Sequence, residues 1–143
     1  MTALTLGHAN AIIAGALAKA HDLGLKPLTI AVVDPAGCLI ALQRSDHSPS
    51  LRPAVAQGKA SGAVAMGVSS RQLGEMALAR PHFIGAVGPL APHGLVPVAG
   101  GVLVFDADGT VIGGVGVSGD SSDNDEICAL AGIAAAGLCT EGK

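Results

Sequence analysis

The sequence predicts an α+β domain in which helices pack on a central antiparallel sheet. Two apolar segments each lead into a four-residue turn, Asp34-Pro-Ala-Gly37 and Asp106-Ala-Asp-Gly109, and a second apolar segment follows each turn. Glycine accepts the positive φ angle that such turns require, so both sequences are typical of β-hairpins. Segments with helical periodicity lie before, between and after these hairpins. The order α, ββ, αα, ββ, α favours an antiparallel sheet over alternating βαβ units.

The first helix and the first hairpin occupy the first third of the chain. Thr5 is a suitable N-cap and Gly24 lies just past the predicted end of the helix. The apolar positions fall on one side of the helix and are Leu6, Ala9, Ile13, Ala16, Leu17 and Ala20. Residues 28–33 are almost all apolar and mostly β-branched, which predicts a central strand covered on both faces. Residues 39–42 form the return arm.

Two helices are predicted in the middle of the chain. Pro49 or Ser50 begins a helical segment that runs to Met66, and Ser69 with Gln72 forms a capping box for a short helix that ends before Pro81. The Pro- and Gly-rich passage that follows is the expected place of an edge strand.

The second hairpin and a last helix complete the predicted order. Residues 102–105 and 110–117 are the arms of the hairpin. Ser122 and Asp125 are expected to cap the last helix. Its predicted buried side consists of Ile127, Leu130, Ala131, Ala134 and Leu138.

Composition limits the classes of function that the chain can have. Its 143 residues predict one domain over 1–143, and half of them are hydrophobic, with two Phe and no Trp or Tyr. A formal net charge of −3 without a basic cluster excludes nucleic-acid binding. No secretion signal or membrane span is evident, so we expect a cytoplasmic protein. The low charged fraction predicts a homo-oligomer, because a monomer would have too little polar surface.

The three cysteines are predicted to be buried, reduced thiols. Cys38, Cys128 and Cys139 are odd in number and are too far apart in sequence for a Cys-x-x-Cys site. Neither a disulfide nor a metal site is therefore expected.

Glycine-rich motifs in the last third of the chain resemble the GlcG/HbpS family. They are residues 95–104, the run Asp108-Gly-Thr-Val-Ile-Gly-Gly-Val-Gly-Val-Ser-Gly119, and residues 125–132. Residues 31–37, 44–46 and 59–60 follow the same family order, so the resemblance covers residues from about 4 to 139. It implies a profilin-like fold with a five-stranded antiparallel sheet, an oligomer, and members that include haem-binding sensors and the domain appended to corrinoid adenosyltransferases.

The candidate ligand-binding residues lie in one polar passage and the helix after it. Arg44, Asp46, His47 and Arg52 lie between a strand end and a helix start, where binding sites are common. The arginines could bind a carboxylate, and His47 could carry a proton. A solvated lysine is the default interpretation of Lys59, but the family resemblance implies that it could hold an anionic substrate group. After Arg44 many relatives have Met-Asp-Gly-Ala, whereas this chain has Ser-Asp-His-Ser.

Two motifs are interpreted as structural. Gly114-Val-Gly-Val-Ser-Gly119 fits the dinucleotide pattern, but the chain has no following strand with an acidic ribose partner. The acidic residues at the start of the last helix are expected to be caps rather than ligands; they are Asp120, Asp123, Asp125 and Glu126. The spacing Gly58-x-x-x-Gly62 predicts close helix packing.

The first hypothesis for function is therefore a small-molecule-binding protein or small enzyme of a catabolic pathway, with a pocket for a small carboxylate or similar anion. The alternative is a haem-binding or sensing module. For this, His21 is the candidate haem ligand, because it lies about 80° from the centre of the first helix's apolar stripe and could face a groove. The alternative is a histidine at the helix edge without a ligand role. A structural oligomer without catalysis is the third hypothesis. The sequence establishes no cofactor and does not decide whether the protein is an enzyme.

Overall fold

Five α-helices and four strands are formed by residues 3–142, the part of the chain that this computed structural model describes. In chain order they are α1 (Leu6–Leu23), β1 (Thr29–Val33), β2 (Leu39–Arg44), α2 (Arg52–Met66), α3 (Ser70–Ala79), α4 (Pro81–Val87), β3 (Gly101–Phe105), β4 (Val111–Ser118) and α5 (Ser122–Ala135). None of these helices is both long and apolar enough to cross a bilayer.

The strands form one antiparallel sheet in the order β2-β1-β4-β3. The prediction of a fifth strand is wrong for the described residues, since the sheet that they form has four. The Pro- and Gly-rich passage instead forms α4 and a 3-10 turn at Gly88–Leu90. Residues 89, 92 and 97 are prolines, which lack the N–H group that a strand needs for pairing. Residues 91–100, which follow the 3-10 turn, therefore form a loop.

Both predicted hairpin turns are confirmed. Gly37 and Gly109 have φ angles of +81° and +82°. The side chain of Asp34 accepts hydrogen bonds from the N–H groups of residues 36 and 38, and Asp106 accepts from those of residues 108 and 110. Each aspartate therefore fixes its own turn by the same local hydrogen bonds, which is why the sequence pattern was sufficient to predict them.

The sheet lies between two helical layers. On one face, α1 and α5 cover a core of small and branched aliphatic side chains that includes Ile12, Ile30, Val115 and Ile133. On the other face, α2 lies almost directly on β4, where a Cβ atom at Gly116 would overlap the Ala56 carbonyl oxygen. The glycines of β4 thus allow the close helix–sheet approach that replaces aromatic packing in this chain.

The predicted caps of α1 and α3 are confirmed, but the prediction for α5 is wrong in two details. Ser121 rather than Ser122 caps α5, with its hydroxyl accepting from the Asn124 N–H. The buried side is formed by Asp125, Cys128, Ala129, Gly132 and Ile133, whereas Ile127 is 43% exposed. Since α5 is apolar around most of its circumference, periodicity could not select the face that packs on α1.

Candidate ligand-binding site

A surface groove lies where the end of α1 meets the end of β2. Gly24 ends α1 in the left-handed conformation, and the chain returns through residues 25–28 directly into β1. Two adjoining cavities of about 520 and 220 Å³ share the lining residues Leu17, Leu25, Pro27 and Ser45. We call this continuous feature the α1–β2 groove. The aliphatic part of its lining, which we call its floor, consists of Leu17 of α1 with Leu25 and Pro27 of the return segment.

The rim of the α1–β2 groove carries both a histidine and two cations. His21 and Lys26 line the smaller cavity, and Arg44 and Asp46 line the larger one. The His21 side chain is exposed and makes no hydrogen bond to another described residue. The backbone N–H of Lys26 donates to Asp120 Oδ1 at 3.1 Å, which holds this part of the rim against the start of α5. The rim thus combines an imidazole and two cations with the carboxylate of Asp46, so an amphipathic anion would have to be held by the Arg44 and Lys26 side of the groove.

A second polar group joins α2 to the end of β4 and to the start of α5. Lys59 is only 2% exposed, and its Nζ donates to the Val117 carbonyl at 2.9 Å and to Asp125 Oδ2 at 3.1 Å. Arg52 Nη1 donates to the Ser118 hydroxyl at 3.0 Å. Burial lowers the pKa of Lys59; the charge and hydrogen bond of Asp125 oppose that shift, and the charge of Arg52 adds to it. The default interpretation of a solvated lysine is wrong.

His47 lies outside both groups. It is exposed in the turn between β2 and α2, and its φ angle of +69° makes it the one described residue other than glycine in the left-handed region. The next residue, Ser48, is buried and its hydroxyl lies 3.0 Å from Thr29 Oγ1. The turn is therefore fixed to β1 through Ser48, while His47 faces solvent.

The structure thus distributes the predicted site residues over separate places. Arg44 and Asp46 share the α1–β2 groove with His21. Arg52 and Lys59 lie on α2 instead, and their side chains donate hydrogen bonds to the end of β4. The sequence analysis did not identify Lys26, Leu25 or Pro27 as groove residues. Their signal was present, since these residues connect a predicted helix end to a predicted strand. The partnership of Lys59 with Asp125 had no local signal, because 66 positions separate them.

The motifs interpreted as structural have structural roles here. Residues 111–118 are the central strand β4. Among the acidic residues, Asp123 and Glu126 form ion pairs with Arg71 of α3. Hydrogen bonds from Asn124 and from the N–H groups of residues 121 and 26 lower the pKa of Asp120 to about 2.

The cysteine prediction is correct only in part. All three thiols are free, but Cys38 and Cys139 are exposed, and only Cys128 is buried. Cys38 follows a surface turn and Cys139 follows the last helix. Turn and terminal positions leave side chains in solvent regardless of their own hydrophobicity.

Comparison with known proteins places the chain in a structural context. Residues 4–134 match the family model of haem degrading protein HbpS-like. The crystal structure of a PduOC–heme complex is 27% identical, with a TM-score of 0.85, and the match covers 98% of this chain and 99% of that one. The structure of HbpS is 31% identical, with a TM-score of 0.81 and coverage of 94% and 90%.

A third structure shares the fold alone. Klebsiella pneumoniae protein ORFY, of the family DUF336, is 22% identical with a TM-score of 0.85, and the match covers 96% of this chain and 93% of that one. No curated protein sequence matches the chain.

Proposed function

This chain belongs to the family of HbpS-like haem degrading proteins, and from that premise we propose that it binds haem in the α1–β2 groove, with His21 as the ligand of the iron. The observation that carries the proposal is the exposed His21 ring, which no other described residue engages, beside an aliphatic floor. A related domain, PduOC, has been crystallised with heme. When bound, haem would supply a redox-active iron centre, and His21 would be the residue that holds the iron.

The chemistry of the groove matches the parts of a haem molecule. The macrocycle is flat and apolar, and Leu17, Leu25 and Pro27 offer aliphatic contacts. The two propionate groups are anions, and Lys26 and Arg44 are cations on the rim. Histidine is a common protein ligand of haem iron. The cavities lie at the surface, so the predicted second copy of the chain would be needed to enclose a bound haem.

Binding of a small carboxylate is the second candidate function, and the same rim favours it. Arg44 and Lys26 would bind a carboxylate whether or not it belongs to haem. The two functions differ in their need for His21 and for the aliphatic floor, because a small anion uses neither. The role of Arg52, Lys59 and His47 in binding, and any catalytic or catabolic role, remain predictions.

Haemin titration followed by its visible absorbance tests the proposal. His21→Ala should weaken haemin binding at least about tenfold and change the absorbance spectrum of the complex, since an iron ligand is lost. Lys26→Ala and Arg44→Ala should each weaken binding by about fivefold, as expected for exposed charge pairs. His82→Ala, which removes an exposed histidine from α4, is the matched control and should bind like the wild type.

The outcomes separate the candidates. Equal haemin affinity and an equal spectrum for His21→Ala and wild type would refute the assignment of His21. If haemin does not bind at micromolar concentration, but small carboxylates raise the melting temperature of the wild type and not of Arg44→Ala, the second function would replace the first.

A further inference from the structure

A thiol and an imidazole meet at the far end of the β1–β2 hairpin from the α1–β2 groove. Cys38 directly follows the hairpin turn, and its Sγ lies 3.8 Å from Nε2 of His93, 55 positions later. Both side chains are exposed. A nucleophilic sulfur next to a proton acceptor, open to solvent, is the arrangement that activates cysteine thiols.

The backbone holds Cys38 in place. Its N–H donates to Asp34 Oδ1 at 3.0 Å, and its carbonyl accepts from the Asp34 N–H at 2.9 Å. The Ser61 hydroxyl of α2 donates to the Gly37 carbonyl at 2.9 Å and ties the turn to a buried helix. The thiol is therefore presented from a rigid position rather than from a mobile loop.

The loop that carries His93 is held against the same helix. A Cβ atom on Gly62 of α2 would lie only 3.0 Å from the Cα of Leu95, so the loop lies directly on the helix surface. The hairpin turn and this loop, which carry the two side chains, are therefore both supported by α2.

The surroundings favour thiol chemistry over the other uses of a Cys–His pair. No group of three or more metal-ligating side chains occurs among residues 3–142. Among the same residues, the sulfur is the only hydrogen-bond partner of the His93 ring, so no third group orients it as in a hydrolase triad. What remains is a thiol beside an imidazole nitrogen, which accepts the thiol proton when the ring carries its own proton on Nδ1.

We propose that Cys38 is a site of covalent modification by thiol–disulfide exchange with a small-molecule disulfide, and that His93 activates it. His93 Nε2 takes the proton from Sγ, and the thiolate attacks one sulfur of the disulfide. A new S–S bond forms to Cys38 and the original S–S bond breaks. The departing thiolate takes the proton back from the imidazolium. Cys38 is oxidised to a mixed disulfide and the other half of the reagent is reduced to a thiol.

The other two cysteines serve as internal references. Cys139 is exposed but has no side-chain hydrogen bond to another described residue. Cys128 is fully buried, and burial raises the pKa of its thiol to about 11. Reactivity should therefore fall in the order Cys38, Cys139, Cys128.

The experiment measures the reaction of the haem-free, full-length protein with 4,4′-dithiodipyridine, a neutral disulfide, at pH 7. Release of the pyridine thione is followed by absorbance, and peptide mass spectrometry identifies the modified cysteine. We expect Cys38 to react about tenfold faster than Cys139, because Cys38 has an adjacent imidazole and Cys139 has no such neighbour among the described residues. Cys38→Ser should abolish the fast phase and Cys139→Ser should leave it unchanged.

His93→Ala tests activation separately from structure. It should slow Cys38 to the rate of Cys139, and free imidazole in the buffer should restore the fast phase without changing the Cys139 rate. A Cys38 rate equal to that of Cys139 in the wild type, or unchanged in His93→Ala, would overturn the proposal. A slowed His93→Ala that imidazole does not rescue would overturn the role of His93. None of these results depends on haem binding.

Discussion

The buried pair Lys59–Asp125, which joins α2 to α5, allows a quantitative test of how a buried ion pair stabilises the fold. The two side chains are 2% and 1% exposed, so neither charge is screened by solvent. Replacing one partner leaves the other charge buried without its counter-ion. Such single removals typically cost 3–5 kcal/mol, a large part of the 5–15 kcal/mol that stabilises a typical domain.

The double variant should cost much less than the two single variants added together. Lys59→Met with Asp125→Leu removes both charges and keeps an aliphatic filling of the space. Two backbone groups still lose partners, namely the Val117 carbonyl and the Asp120 N–H that donates to Asp125 Oδ1. We therefore expect a cost of about 1–3 kcal/mol for the double variant, rather than the roughly 6–10 kcal/mol of the summed single variants.

Urea denaturation at one fixed protein concentration measures these differences. With a slope of about 2 kcal/mol per M, each single variant should lower the urea midpoint by about 2 M. Arg71→Ala, which removes the exposed ion pairs with Asp123 and Glu126, is the control and should leave the midpoint almost unchanged. Shifts of the urea midpoint below about 0.5 M in the single variants would refute the claim that the pair is energetically coupled. A loss of unfolding free energy in the double variant equal to the sum of the two single losses would also refute it.

Three further predictions concern packing, acid stability and assembly. Gly116→Ala should unfold or strongly destabilise the protein, because its Cβ atom would overlap the Ala56 carbonyl. Gly85→Ala in α4 meets open space and should raise the free energy of unfolding, measured by thermal denaturation, by about 0.5–1 kcal/mol. Equal effects of the two substitutions would contradict the packing argument. The pKa of Asp120 is about 2 in the folded state against 3.8 normally. Its carboxylate therefore stabilises the fold fully above about pH 4 and progressively less as the pH falls towards 2. In urea denaturation, the free energy of unfolding of Asp120→Asn should fall less steeply over this pH window than that of the wild type. An equal fall in both proteins would contradict the prediction. Light scattering at micromolar concentration should give a mass above the 13.9 kDa of one chain, and a monomer alone would disprove the predicted oligomer.

Elements governed by neighbouring residues could be predicted from the sequence. The two Asp-to-Gly turns and the Thr5 and Ser69 caps depend on hydrogen bonds between residues at most four positions apart. Such contacts form in the same way wherever the segment is placed, so local pattern and structure agree. The sequence also identified His21 and Arg44 as candidate binding residues, but it did not predict that they line the same groove.

Tertiary structure alone decided which elements and side chains meet. The sequence of α5 is apolar on most sides, and only its contact with α1 selects the buried face. The partners of Lys59 and Cys38 are 66 and 55 positions away. The polar passage 44–52 is divided between the α1–β2 groove, which contains Arg44, and the start of α2, which contains Arg52. Sequence periodicity indicates which residues prefer burial. Which distant side chains come into contact depends on how the helices pack on the sheet, because that packing sets the distances between them.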